Sequence, residues 1–129
     1  MSNLVLAYLG DAVYELYIRE HLIKEGYAKV NDLQNESLKY VSANSQRKIL
    51  EALESKGIFC EEEMIVINRG RNAHGHKSKN TDIVTYKKAT GLECLIGHLY
   101  LNDKSRLDEI MKEIVGILWE YVEKTSLKN

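Results

Sequence analysis

The stretch from Leu6 to Tyr17, Leu-Ala-Tyr-Leu-Gly-Asp-Ala-Val-Tyr-Glu-Leu-Tyr, constrains the fold of this chain more than any other. At 100° per residue Leu6, Leu9, Val13 and Leu16 form one helical stripe, while Ile18 and Leu22 fall on the opposite side. A helix that is apolar nearly all round is a buried one. Asp11 stands in its middle, on the side of Ile18 and Leu22. A buried carboxylate is costly unless it is paired or binds a metal, so Asp11 requires an arginine, the end of a neighbouring helix, or a cation. Gly10 beside it lets a second backbone come close, at a cost of roughly 0.5–1 kcal/mol in a helix interior.

A second stretch, Thr90 to Leu101, repeats the pattern: apolar on most sides, with glycines suited to close packing and a single acid, Glu93. Two core helices with one carboxylate each can bring Asp11 and Glu93 together. Like charges at close range are tolerated when a cation lies between them, and hard oxygen ligands of this kind suit Mg²⁺.

The rest of the chain reads as helices. There is no proline, and alternating strand patterns are scarce, which predicts an all-α fold. The first helix is expected to run from about Leu4 to a C′ glycine at Gly26. Asn31-Asp32-Leu33-Gln34 reads as a capping box opening a second helix, with Leu33, Ser37, Tyr40 and Val41 facing inward. Ser42 is expected to cap a third helix that carries Ile49, Leu50 and Leu53 and ends at Gly57. Glu61, Glu62 and Glu63 open a fourth, where first-turn acids suit the dipole and need no further role. Thr81 is placed as the cap of the helix that continues through Leu101. Ser105 with Asp108 is placed at the start of the last helix, whose stripe is Ile110, Ile114, Ile117, Leu118, Tyr121 and Val122, with Trp119 in the core. Residues 1–129 read as one domain, large enough for a real core.

Net charge is −1, which by itself argues against a nucleic-acid partner, but its distribution does not. Residues 68–88 hold Arg69, Arg71, Lys77, Lys79, Lys87 and Lys88 against Asp82, a local balance of +5, so the remainder sums to −6. One basic face on an acidic body is the asymmetry expected for an anionic partner; a solvated loop is the plain alternative. His74 and His76 in that loop are surface histidines rather than a metal site. No apolar run reaches bilayer length, and no secretory segment opens the chain. Cys60 and Cys94 form no paired motif, so reduced thiols in the cytoplasm are the expectation.

Leu9-Gly10-Asp11-Ala12-Val13 resembles the signature of the ribonuclease III family, and Leu92-Glu93-Cys94-Leu95-Ile96-Gly97 is similar to that family's second acidic motif. Arg69-Gly70-Arg71-Asn72-Ala73, followed by Lys79-Asn80-Thr81-Asp82, resembles the mini branch more closely. Two positions depart from the larger family. Ala7 stands where it has a glutamate, and Thr90 where it has an aspartate, a simplification the mini branch resembles.

The resemblance implies a ribonuclease III-like helical endonuclease domain, working as a homodimer with two sites facing one duplex. It implies Asp11 and Glu93 as catalytic ligands of Mg²⁺, with Mn²⁺ able to substitute, and hydrolysis of double-stranded RNA by metal-activated water. For the mini branch it implies trimming of precursor large-subunit (23S) ribosomal RNA. Glu15, one turn after Asp11, could support the site from behind the ligands or pair with Arg19 at i+4; the residues leave this open. Arg69, Arg71, Lys77 and Lys79 suit the phosphates of an A-form duplex, and take on the work of the separate RNA-binding domain that most of the family appends. Two other classes compete: a non-catalytic RNA-binding or ribosome-assembly module, and a helical metal-dependent phosphohydrolase of small nucleotides.

Overall fold

The computed structural model describes residues 1–73 and 82–127, with side chains through Glu120. Its described residues form six helices in the order α1 (Asn3–Lys24), α2 (Val30–Val41), α3 (Ala43–Ser55), α4 (Glu61–Arg71), α5 (Ile83–Asn102) and α6 (Lys104–Leu127), and no strand. The all-α expectation holds.

Local chemistry sets most of the helix ends. Ser2 caps α1 by accepting from the Val5 N–H at 3.2 Å. The helix stops at Gly26, whose φ of 102° is the left-handed conformation that glycine adopts freely. There the Tyr27 N–H donates to the Leu22 carbonyl at 3.2 Å and Gly26 to that of Ile23 at 3.1 Å, a Schellman closure. Gly57, at φ 66°, ends α3 in the same way through Ile58 and Leu53. Ser42 caps α3 as expected, accepting from the Ser45 N–H at 3.2 Å.

Three helix starts and the role of one acid differ from the sequence reading. α2 begins at Val30 with Lys29 as its cap and no side-chain cap bond, so Asn31 is already inside the first turn and the box at Asn31 does not form. Asp82 caps α5, accepting from the Thr85 N–H at 2.9 Å; Thr81 lies outside the described residues. Asp103 does the same for α6, accepting from the Arg106 N–H at 3.1 Å, which leaves Ser105 within the helix. Glu63 is more than a first-turn acid. It accepts from the Cys60 N–H at 3.0 Å and takes a two-pronged ion pair from Arg106 at 2.8 and 2.9 Å, while Arg106 also donates to the Ile58 carbonyl. That pair ties the start of α4 to α6, and it holds the Glu63 carboxyl below the usual carboxylate range.

α5 is the axis of the molecule, packing against α1, α3, α4 and α6. Its Leu92, Leu95 and Ile96 are fully buried with Tyr14, Ile18, Ile49, Leu53, Ile67 and Ile110. Tyr40 belongs to this core, its carbonyl accepting from the Tyr14 hydroxyl at 2.6 Å. On α6, Ile110, Ile114 and Leu118 are buried, whereas Trp119 is half-buried and stands edge-on to His21; Tyr121 and Val122 lie beyond the described side chains.

α1 is not buried all round. Its inner face is Ala7, Gly10, Val13, Tyr14, Ile18 and Leu22, while Val5, Tyr8, Leu16 and Ile23 face solvent. The apolar character of that outer stripe therefore has no partner within the described part of the chain. No helix among the described residues is long and apolar enough to cross a membrane.

Candidate active site

Two glycines bring the site together. A Cβ on Gly10 would stand 1.7 Å from the Glu93 carbonyl oxygen, and one on Gly97 would stand 2.1 Å from the Leu6 carbonyl oxygen. Only hydrogen fits at either place, so the backbones of α1 and α5 touch. Asp11 follows Gly10 directly, and Glu93 is the residue whose carbonyl meets Gly10. The contact thus carries both acids to the mouth of one cleft of about 410 Å³, lined among others by Ala7, Tyr8, Asp11, Gln46, Thr90 and Glu93.

The burial of the two acids is unequal. Asp11 lies on the Ile18 and Leu22 side of α1, as expected, but it is exposed, because the cleft opens to solvent there. Glu93 is the half-buried member. Burial pushes its carboxyl up to about 9; the hydrogen bond and negative charge of Asp11 push the same way, and the Gln46 amide pulls slightly back. None of the ion pairs among the described residues involves either acid, and Asp11 caps no helix. The arginine and capping alternatives for Asp11 are therefore not realised. Its close neighbour is another carboxyl.

These donors suit a hard divalent cation. The described residues hold no group of three or more His, Cys, Asp or Glu side chains fit for a metal. Two carboxylates on an open cleft are the kind of set that Mg²⁺ accepts, the rest of its shell coming from water and substrate oxygens. The two positions that depart from the larger family, Ala7 and Thr90, line this same cleft. The Thr90 hydroxyl donates to the Tyr86 carbonyl at 2.8 Å, so it is held by its own helix.

Of the remaining site candidates, Glu15, Arg69 and Arg71 are not in the lining of the acid cleft. Glu15 takes Arg19 at 2.9 Å, the i+4 pair. Arg69 lines a larger cleft of about 560 Å³ together with His98 and the Glu63–Arg106 pair. The stem of Arg71 packs over Gly91, where a Cβ would come within 2.7 Å of it; no ion pair among the described residues uses Arg69 or Arg71. Lys77, Lys79, His74 and His76 lie outside the described residues.

Gln46 is the site residue that the sequence reading missed. It is 3% exposed on the face of α3 that carries Ile49, Leu50 and Leu53. A polar side chain in register with an apolar stripe was the available signal.

The ribonuclease III domain pattern matches residues 4–104. The Mini-ribonuclease 3 of Enterococcus faecalis is 41% identical over 126 residues, covering 96% of each chain. That of Staphylococcus aureus is 43% identical over 122 residues, covering 93% of this chain and 91% of its own. A crystal structure of a Fusobacterium nucleatum protein superposes with a TM-score of 0.78 at 32% identity, covering 91% of this chain and 92% of that one. Matches in pattern, sequence and fold run through both acid-bearing helices, and the chain belongs to the ribonuclease III family, on its Mini-ribonuclease 3 branch.

Proposed function

We propose that this endoribonuclease is Mg²⁺-dependent, that it cuts double-stranded RNA, and that Asp11 and Glu93 are its metal ligands. Endoribonuclease activity comes with the family. The observation that carries the finer reading is the convergence of two carboxyls on one open cleft, with no lysine or arginine of the described ion pairs to neutralise them.

Glu93 must give up the proton that burial and Asp11 make it hold, and Asp11 then presents the second oxygen ligand from the solvent side. Asp11 and Glu93 would hold Mg²⁺, whose charge would make a water nucleophilic toward phosphorus and stabilise the departing oxygen. Ala7 and Thr90 add no further negative charge beside the scissile phosphate. Arg69, Arg71, Lys77 and Lys79 hold the duplex by its phosphates, while Glu15 stays with Arg19.

The substrate that the mini-branch resemblance supports is precursor 23S ribosomal RNA, handled in the cytoplasm, where Cys60 and Cys94 stay free. A homodimer is supported by the unpartnered outer stripe of α1, where Leu16 is 60% and Val5 51% exposed.

Titrating Mg²⁺ against a labelled RNA duplex tests the reading. Wild type is expected to cleave, whereas Asp11→Asn and Glu93→Gln remain folded and inactive. Near-normal turnover by either variant in saturating Mg²⁺ would remove that residue from the site. Duplex binding without cleavage in any divalent metal would favour a non-catalytic module.

A further inference from the structure

Two side-chain nitrogens among the described residues are buried without a hydrogen-bond partner, and one of them is Gln46 Nε2. The other, His21 Nε2, belongs to a ring packed against Trp119, away from the acids. A buried donor left unpaired is destabilising, and leucine on this face of α3 would carry no such cost. The position of Gln46 shows what the donor faces. Its side chain lines the same cleft as Asp11 and Glu93.

A carboxylate ligand has two oxygens, and the one not on the cation needs a donor to fix its orientation. An amide oxygen turned toward two carboxyls would be repelled, so Nε2 is the end that belongs there. We propose that Gln46 is a positioning residue of the active site, its Nε2–H donating to the Glu93 carboxylate when that carboxylate holds the metal. This rests on the reading of Asp11 and Glu93 as metal ligands. It accounts for a polar side chain that is almost wholly shielded from water, lines the cleft of the two acids and leaves its nitrogen without a hydrogen-bond partner.

The test is the affinity of the metal-free protein for Mn²⁺, read by electron paramagnetic resonance, for wild type, Gln46→Leu, Gln46→Met and Glu93→Gln. Both Gln46 variants keep the volume and remove the donor, so their melting temperatures are expected to match or exceed that of wild type; if the branched leucine does not fold, the unbranched methionine carries the measurement. Their Mn²⁺ affinity is expected to fall about 10–100-fold. Cleavage should recover at high metal concentration, placing the defect in metal half-saturation rather than in kcat. Wild-type affinity in a folded Gln46 variant would overturn the proposal, as would lost cleavage at unchanged affinity. Wild-type affinity in Glu93→Gln would overturn the ligand assignment itself, a separate failure.

Discussion

Gly10 and Gly97 face each other across the crossing of α1 and α5, each with its Cα against the backbone of the opposite helix. A Cβ on Gly10 would lie 2.9 Å from the Gly97 nitrogen, and one on Gly97 would lie 3.1 Å from the Gly10 nitrogen. Because Asp11 is next to Gly10 and Glu93 lies one turn before Gly97, this contact sets the separation of the two acids.

Gly10→Ala and Gly97→Ala are each expected to destabilise the protein by about 3 kcal/mol or more, since backbone cannot yield as a side-chain tip does. Gly116→Ala is the contrast. Nothing lies within 4 Å of a Cβ there, and the residue is inside α6. That change is expected to stabilise by roughly 0.5–1 kcal/mol. Urea unfolding of the three variants checks both signs, and a neutral Gly10→Ala would contradict the close crossing.

Glu93 gives the metal-free protein a pH dependence. Its folded value, about 9, is above the ordinary 4.5, so the native state keeps a proton that the unfolded chain loses. The resulting stability is fully present below about 4.5 and is lost as pH climbs through about 9. A cation requires the carboxylate, so Mg²⁺ binding near pH 7 should release close to one proton per site, and affinity should rise with pH. Calorimetric titration in two buffers of different ionisation enthalpy measures that proton. Binding with no proton released would contradict the state assigned to Glu93.

Lys77 and Lys79 are expected to contribute RNA affinity without entering the chemical step, from the balance of +5 over residues 68–88. Replacing both with alanine should weaken duplex binding and flatten the slope of log affinity against log salt by roughly one to two units. Cleavage at saturating RNA should change much less. A salt series in Ca²⁺ checks this, and an unchanged slope would show that the duplex docks elsewhere.

Leu16 tests the homodimer. Leu16→Arg places a charge in the outer stripe of α1, on the side away from the core. Sedimentation is expected to give twice the 14.8 kDa chain mass for wild type and one chain mass for the variant. A wild-type mass of one chain at concentrations where cleavage proceeds would exclude the dimer.

The helices and several of their ends were legible in the sequence because caps and closures are local. Gly26, Gly57 and Ser42 act on neighbours within a few positions, and each does in the structure what its residue type demands. That Asp11 and Glu93 could meet was legible too, from two apolar stretches that each carry an acid beside glycines suited to close packing. Asn31 and Ser105 were misplaced as starts: α2 begins at Val30 with no side-chain cap bond, and at α6 Asp103, two residues before Ser105, supplies the cap.

Only the tertiary structure decided which face of α1 is covered. Apolar residues surround that helix, so periodicity could not separate Tyr14 and Ile18, which are buried, from Leu16, which is not. It also decided that solvent reaches Asp11 while Glu93 is the shielded acid, because the cleft wall comes from α3 as well as from α1 and α5. Arg106 meets Glu63 from 43 positions away, and Gln46 joins Glu93 in the lining of one cleft from another helix. Spacing along a chain specifies which side chains share a helix face; which faces meet is fixed when the helices pack.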